Sequence, residues 1–354
     1  MDETEVADVI GQVRALVETH YIFPDTAVEV SRVLAQGLAE GRYPAWAPSL
    51  AMVVTADLQS VNGDKHLRLL YHGQALPRRT PGDDTGECAA MARWAGQTCG
   101  GVACVQQLTG NIGYLDLRPI LFPAALCGEI ITGAMSLIAE TDALLLDLRH
   151  CLGGEPAMIA FIISYLWDDE PAQLTGLRER KDNQLKQAWT LPYVPGRRFG
   201  KAKPVYVLTS DSTFSGGEQL SYDLQQLGRA TLIGERTRGG AHAREGFPVH
   251  PHLEATISVA EAVNPQSGAN WEGTGVTPDI HATAAQACDT AHELARQAAA
   301  AGERATARCS RASPLRLPGS HRRSFATACS QYPGSPPTSA SASAAATHNS
   351  ADSL

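Results

Sequence analysis

Hydroxyl side chains crowd beside a pair of glycines in Thr209-Ser210-Asp211-Ser212-Thr213-Phe214-Ser215-Gly216-Gly217-Glu218. The apolar run Val205 to Leu208 before it reads as a buried strand, and Leu220, Leu224 and Leu227 after it fall on one face of a helix. Ser215 therefore lies where a strand turns into a helix. A hydroxyl there projects from the carboxyl end of a sheet strand, near the positive end of a helix dipole, with small neighbours that let a substrate carbonyl approach. That is the setting of a nucleophile. It is also the setting of a helix cap, a role that Ser212, Thr213 or Ser215 fits by type.

A serine hydroxyl is a poor nucleophile at neutral pH and needs a base within hydrogen-bond reach. His66 is the candidate, because an imidazole with a pKa near roughly 6.5 can take and return a proton at cellular pH. It stands in Val61-Asn62-Gly63-Asp64-Lys65-His66-Leu67-Arg68-Leu69-Leu70-Tyr71, a turn feeding an alternating strand, where a lone histidine can equally be a polar edge residue. His250 and His252 read as a strand-edge pair without an acidic or cysteine partner at ligand spacing. His242, close to a glycine segment, is a candidate to line a cleft. No metal site, phosphate loop or dinucleotide fingerprint is present in the sequence, so no metal or organic cofactor is implied.

The elements that must position these groups are legible as periodicities. Three amphipathic helices with Val6, Val9, Ile10, Val13, then Val30, Val33, Leu34, then Leu50, Val53, Val54 predict an amino-terminal helical bundle over residues 1–62. Residues 73–101, rich in Gly, Pro, Arg and Asp, read as a long loop. From Val102 strands and helices alternate: strands at Ile112 to Leu117, Ala143 to Leu148, Val205 to Leu208, Ala230 to Ile233 and Ala255 to Val259. Helices lie between them at Ala124 to Ile138, Pro156 to Leu166 and after Ser215, with a hairpin or lid at 172–192. Such alternation predicts an α/β core with a mostly parallel sheet over residues 63–283. An Ala-rich helix follows at 284–303, and residues 304–354 read as a disordered low-complexity tail.

Across its 354 residues the chain has a net charge of −8, which gives no electrostatic case for a nucleic-acid or anionic-membrane partner. The charge is uneven: residues 301–354 hold six Arg against two acidic residues, +4, leaving −12 on the first 300. The start Met-Asp-Glu-Thr-Glu has no basic, apolar leader pattern, and no run of about 18 apolar residues occurs, so a cytoplasmic location is expected. Eight cysteines without a C-x-x-C pair point to reduced thiols.

Four separated segments carry a resemblance: Asp64-Lys65-His66-Leu67, Asp147-Leu148-Arg149 with Gly153-Gly154, Thr213-Phe214-Ser215-Gly216-Gly217-Glu218, and Trp271-Glu272-Gly273-Thr274-Gly275-Val276-Thr277-Pro278-Asp279. In this order they resemble the tail-specific, or C-terminal processing, serine peptidases, on the branch with the tricorn core protease and the interphotoreceptor retinoid-binding protein modules. The resemblance implies a ClpP/crotonase-like core and a triad of Ser215, His66 and Glu272, with the carboxylate holding the imidazole tautomer. It also implies an oxyanion hole from the amides of Gly216 and of the Gly153-Gly154 turn, with Asp147 and Arg149 in support. The family's other branch uses a lysine about 25 residues after the serine; that position is Gly240, so the histidine version is expected. Cys151 stands where the family usually has Asn, and reads as a core thiol.

The expected function is hydrolysis of peptides or unfolded protein ends through an acyl-enzyme, with activity lost below about pH 6.5 as the base protonates. No room exists for a PDZ module between the Asp64 segment and the core. The competing reading is a non-catalytic module on the same fold that binds a small hydrophobic ligand or a protein.

Overall fold

The computed structural model describes residues 1–76, 85–168 and 170–311. The chain separates into two units, Met1–Arg308 and Cys309–Leu354, and the architecture below belongs to the first. In chain order its first elements are α1 (Glu3–His20), α2 (Pro24–Ala39), α3 (Ala47–Gln59), β1 (Arg68–Tyr71), α4 (Thr85–Gln97), β2 (Val102–Leu108), β3 (Ile112–Leu117), α5 (Ala124–Ile138), β4 (Ala143–Asp147) and α6 (Pro156–Leu166). Then come β5 (Gln173–Glu179), β6 (Leu185–Trp189), β7 (Val205–Thr209), α7 (Gly216–Gln226), β8 (Thr231–Gly234), β9 (Ala243–His250), β10 (Leu253–Val263), β11 (Ile280–His281) and α8 (Ala284–Arg311).

The parallel sheet runs in the order β11-β8-β7-β4-β3-β2, with only β2 antiparallel to its neighbour. Both faces are covered, as its continuous apolar strands require. In β4 the side chains alternate: Leu144 and Leu146 join the large core under α5 and α6, while Ala143 and Leu145 meet Ala287, Ala291 and Ala295 of α8. Each fully buried leucine of this kind contributes about 1.5–3 kcal/mol over its exposed state. Asp147 on β4 pairs with Leu208 on β7, so the two strands end side by side. The loops leaving them, Leu148 to Gly154 and Ser210 to Ser215, therefore emerge as neighbours, and the site is built where they meet.

The second sheet is antiparallel, β1-β10-β5-β6 with β9 also on β10. Here the amino-terminal helices find their partner. Asp2 and Glu5 cap α1 reciprocally, the Glu5 N–H donating to Asp2 Oδ1 at 2.8 Å and the Asp2 N–H to Glu5 Oε2 at 2.9 Å. Val9, Ile10 and Val13 of α1, Val30 and Leu34 of α2 and Leu50, Val54 and Leu58 of α3 share one core with Leu67, Leu69, Leu253, Ala255 and Ile257. The three helices thus lie on the sheet edge that begins with His66, two residues before β1.

The chain is an α/β protein with an amino-terminal helical region, as its periodicities predict. The long loop expected at 73–101 is corrected: most of it is α4 and a 3-10 turn at Cys99–Gly101. Gly, Pro and Asp before Thr85 dominate the composition of that window, yet Ala95 is buried and Trp94 meets Phe122 edge-on at 5.0 Å, so tertiary packing selects a helix. Part of that loop and the tail beyond residue 311 lie outside the described residues. Among the described residues no helix is long and apolar enough to cross a membrane.

Candidate active site

Ser215 occupies an elbow between β7 and α7 with φ 52° and ψ −116°, a conformation that costs a residue with a side chain about 1–3 kcal/mol. Hydrogen bonds from two other segments hold it there. The Phe214 N–H donates to the Cys151 carbonyl at 3.0 Å, Thr213 Oγ1 to the Leu148 carbonyl at 2.9 Å, and the Ser215 N–H to Glu218 Oε2 at 2.9 Å. Glu218 is fully buried and accepts three more bonds, from Thr237 Oγ1 at 2.5 Å and from the N–H groups of Gly239 at 2.6 Å and Gly240 at 2.8 Å. Burial pushes its carboxyl upward, opposed by these four donors. One carboxylate thereby fastens the serine elbow to the strand-to-strand loop at 237–240.

The elbow needs its glycines because backbone packs on backbone. A Cβ on Gly216 would sit 2.5 Å from the Gly154 nitrogen, and one on Gly154 2.3 Å from Leu121 Cβ. A Cβ on Gly153, at φ +153°, would lie 3.6 Å from Ser215 Cβ and 3.9 Å from its Oγ. The Gly153-Gly154 turn and the first residue of α7 are therefore in contact around the hydroxyl. Among the described residues the N–H groups of Gly153, Gly154 and Gly216 donate to no partner. Unpaired amides converging beside a hydroxyl can receive an anionic oxygen.

His66 is 4% exposed, and its ring stacks on Phe214, the residue before the serine, at 4.7 Å and 29°. Asp64 Oδ1 accepts its backbone N–H at 2.9 Å, and Thr256 Oγ1 donates to its carbonyl at 2.6 Å. The close approach of Gly240, where a Cβ would lie 2.9 Å from His66 Cε1, leaves no room for a side chain there. Burial drives the ring pKa down to about 3, with Arg244, His242 and Arg68 adding repulsion and Asp64 opposing. The ring is neutral at pH 7. Its Nδ1 is buried with no partner, and no hydrogen bond joins it to Ser215 among the described residues.

Glu272 lies close by but turns to another histidine. Its Oε2 accepts the Ala241 N–H at 2.5 Å and the His242 N–H at 3.3 Å and stands 3.6 Å from His242 Nδ1, while Oε1 is buried without a partner. Burial raises its pKa. His242 Nδ1 meets Asp64 Oδ2 at 2.9 Å, and the Tyr21 hydroxyl donates to the same oxygen at 3.0 Å. Burial alone would raise Asp64, but the His242 hydrogen bond and charge pull it down to about 2. Burial alone would lower His242, and Asp64 more than reverses that. Asp64 and His242 form a buried pair at hydrogen-bond distance. With Glu272 their ligand atoms lie within 4.8 Å of one another, close enough to hold a cation, and His242 Nδ1 already has Asp64 as its partner.

Ser215, Gly153, Gly154 and Gly216 are thus brought to one place, with His66 stacked on Phe214 beside them and Glu272 held by the Ala241 and His242 amides, next in the chain to Gly240. Asp147 and Arg149 lie behind: Arg149 Nε donates to Asp147 Oδ1 at 2.9 Å, the Tyr114 hydroxyl donates to Oδ2 at 2.7 Å, and Arg149 Nη1 donates to the Ala284 carbonyl at 2.5 Å. Cys151 is buried, its thiol pushed up to about 12 by burial, which makes it packing and not a nucleophile. Reading the sequence assigned no role to Asp64, Tyr21 or Glu218. Only Glu218 carried a signal, since Ser-x-x-Glu at a helix start is a capping-box pattern.

A serine held at a strand-to-helix elbow, with free amides against it and a neutral histidine stacked on its neighbour, is a site of the serine-hydrolase class. The sequence matches the profile of Peptidase family S41 over residues 111–282 and that of the N-terminal domain of Peptidase S41 in eukaryotic IRBP over residues 3–95. The two spans together take in well over half of the chain, which belongs to peptidase family S41, a family of serine peptidases.

Solved structures share the fold. A lipoprotein from Streptococcus agalactiae is 15% identical with a TM-score of 0.53, covering 83% of this chain and 96% of that one. A putative peptidase from Parabacteroides merdae is 15% identical with a TM-score of 0.53, covering 78% and 90%. The tricorn protease is 13% identical with a TM-score of 0.52, covering 84% of this chain and 37% of its own.

Proposed function

We propose that the protein is a serine endopeptidase that opens peptide bonds in peptides or unfolded protein segments, C-terminal ones among them, through an acyl-enzyme on Ser215. His66 Nε2 takes the hydroxyl proton as Oγ attacks the carbonyl carbon. The carbonyl oxygen becomes an oxyanion held by the N–H groups of Gly216 and the Gly153-Gly154 turn. The imidazolium then gives its proton to the leaving amine, and water repeats the sequence on the ester. Glu272 is the carboxylate of the triad. What supports this role is that His66 Nδ1 and Glu272 Oε1 are each buried without a partner, one able to donate and the other to accept. Asp147 and Arg149 brace the loop that carries Gly153.

The single observation that carries the reading is the strained backbone of Ser215 beside three undonated amides, a conformation that its capping box with Glu218 does not require, since N-caps ordinarily adopt the extended region. The test is turnover of an unfolded, fluorescein-labelled protein. Wild type releases peptides, and Ser215→Ala loses roughly 10³-fold or more. Equal release by both would contradict the proposal.

A second reading, a binding module without turnover, is favoured by one observation: Ser215, His66 and Glu272 are not joined by hydrogen bonds among the described residues. It requires that wild type fail to hydrolyse any peptide it binds.

A further inference from the structure

Four cationic side chains gather on the outer side of His66. Arg238 places its guanidinium carbon 4.8 Å from the centroid of the Phe214 ring, and Arg68 places its own 5.9 Å away. The Lys65 ammonium donates to the Arg238 carbonyl, and Arg68 Nε to the Lys65 carbonyl at 2.5 Å. Arg244 joins them through strand register: it pairs with Ser258 and Arg68 pairs with Thr256, two residues apart on β10 and so on one face. Burial first, then the charges of Arg238 and Arg244, lower the Arg68 pKa, with Asp64 opposing, so both neighbours lie close enough for their charge to reach Arg68. Among the described residues none of the four stands within salt-bridge reach of a carboxylate. The acid beneath them, Asp64, is committed to His242, and Glu254 on the adjoining strand is committed to His72.

Unpaired like charges held together beside His66 and Phe214, in a chain whose net charge is −8, describe a place that an anion would complete. Three of the groups are planar forks suited to a carboxylate, and two of them, Arg238 and Arg244, are exposed. We infer that Arg238, Arg244 and Arg68, with Lys65, form a subsite for a carboxylate on the peptide substrate, next to the bond attacked by Ser215. Arg238 and Arg68 lie over the ring of Phe214, the residue before Ser215, and an extended chain advances about 3.3–3.6 Å per residue, so the carboxylate lies within a few residues of that bond. The carboxylate has two sources, an acidic side chain or a free chain terminus. The inference rests on the peptidase reading for its placement, though binding alone can test it.

The experiment uses the full chain and three peptides of one core sequence: neutral with an amidated end, amidated with one Glu two residues from the cleaved bond, and neutral with a free terminus. At about 50 mM salt, where charge–charge attraction is weakly screened, kcat/KM for a carboxylate-bearing peptide exceeds that of the neutral one by roughly tenfold or more. In the double variant Arg238→Gln/Arg244→Gln the ratio falls to within about twofold. Preference for the Glu peptide alone assigns the subsite to side chains, and preference for the free end alone assigns it to termini.

Rates within twofold for all three peptides, or a ratio indifferent to the double variant, would overturn the inference while leaving the peptidase reading intact. If wild type cleaves none of them, the peptidase reading fails instead. The inference is then read from fluorescence anisotropy of the same peptides on Ser215→Ala, where tighter binding of the carboxylate peptides that is lost with Arg238 and Arg244 supports it and equal binding overturns it.

Discussion

The chemistry of the site turns on one neutral imidazole. From its type alone His66 would protonate near pH 6.5, and the acidic limb of activity would fall there. In the folded protein burial depresses its pKa to about 3, so the ring remains a base well below that pH. The acidic half-point of kcat/KM is accordingly expected well under 6.5, measured between pH 4 and 8 on a neutral peptide. A half-point at 6.5 would mean that the ring is solvated in the working enzyme. His66→Ala should lower acylation about as far as Ser215→Ala, because triad members act as a unit. At this scale Ser215 and His66 were readable as candidates from residue type and flanking pattern. The Asp64–His242 pair was not, since the two lie 178 positions apart and nothing local marks them as partners.

Between residue and molecule stand two loops whose backbones touch. Gly216→Ala puts a methyl 2.5 Å from the Gly154 nitrogen, a backbone atom that cannot give way as a flexible side chain can. The variant is expected to lose about 1–3 kcal/mol of stability and, with an oxyanion donor displaced, about 10²- to 10³-fold in kcat. Gly11 in α1, with nothing within 4 Å of its added methyl, is the contrast: Gly11→Ala should gain about 0.5–1 kcal/mol by thermal or urea unfolding and leave kcat alone. Glu218→Ala strips four donors of their acceptor and should cost about 3 kcal/mol or more. If it unfolds no earlier than wild type in urea, the elbow has another fastening. Both loops were visible as glycine-rich breaks after apolar runs. Their contact was not, because it follows from the pairing of β4 with β7, which no local pattern states.

At the scale of the whole molecule, the parallel sheet was legible because doubly covered strands are continuous apolar runs, whereas of the antiparallel sheet only pieces were: the strand after His66, the hairpin at 172–192 and the strand at 255–259. Their assembly was not, because β1, β5 and β10 pair across long stretches of sequence and polar residues in β9 hide its alternation. Yet that sheet carries His66 and ties the site to the amino-terminal helices through a shared core. Acid stability reports on this tie. Unfolded, the imidazole takes a proton near pH 6.5, but folded it does so only near 3, so its contribution is full above 6.5 and is lost as pH falls through that window. Asp223, raised to about 6 by burial, acts in the opposite sense, its contribution fading as pH rises toward 6. Between pH 6 and 4 the urea-derived stability of His66→Asn should therefore fall less steeply than that of wild type, by up to about 1.4 kcal/mol per pH unit; parallel curves would place the ring in solvent.

The most direct measurement is covalent labelling with a fluorophosphonate, mapped by mass spectrometry of the digested protein. The account predicts one adduct on the peptide containing Ser215, absent from Ser215→Ala and slowed about as far in His66→Ala. Undiminished labelling of Ser215→Ala, or an adduct on any other residue, would contradict it.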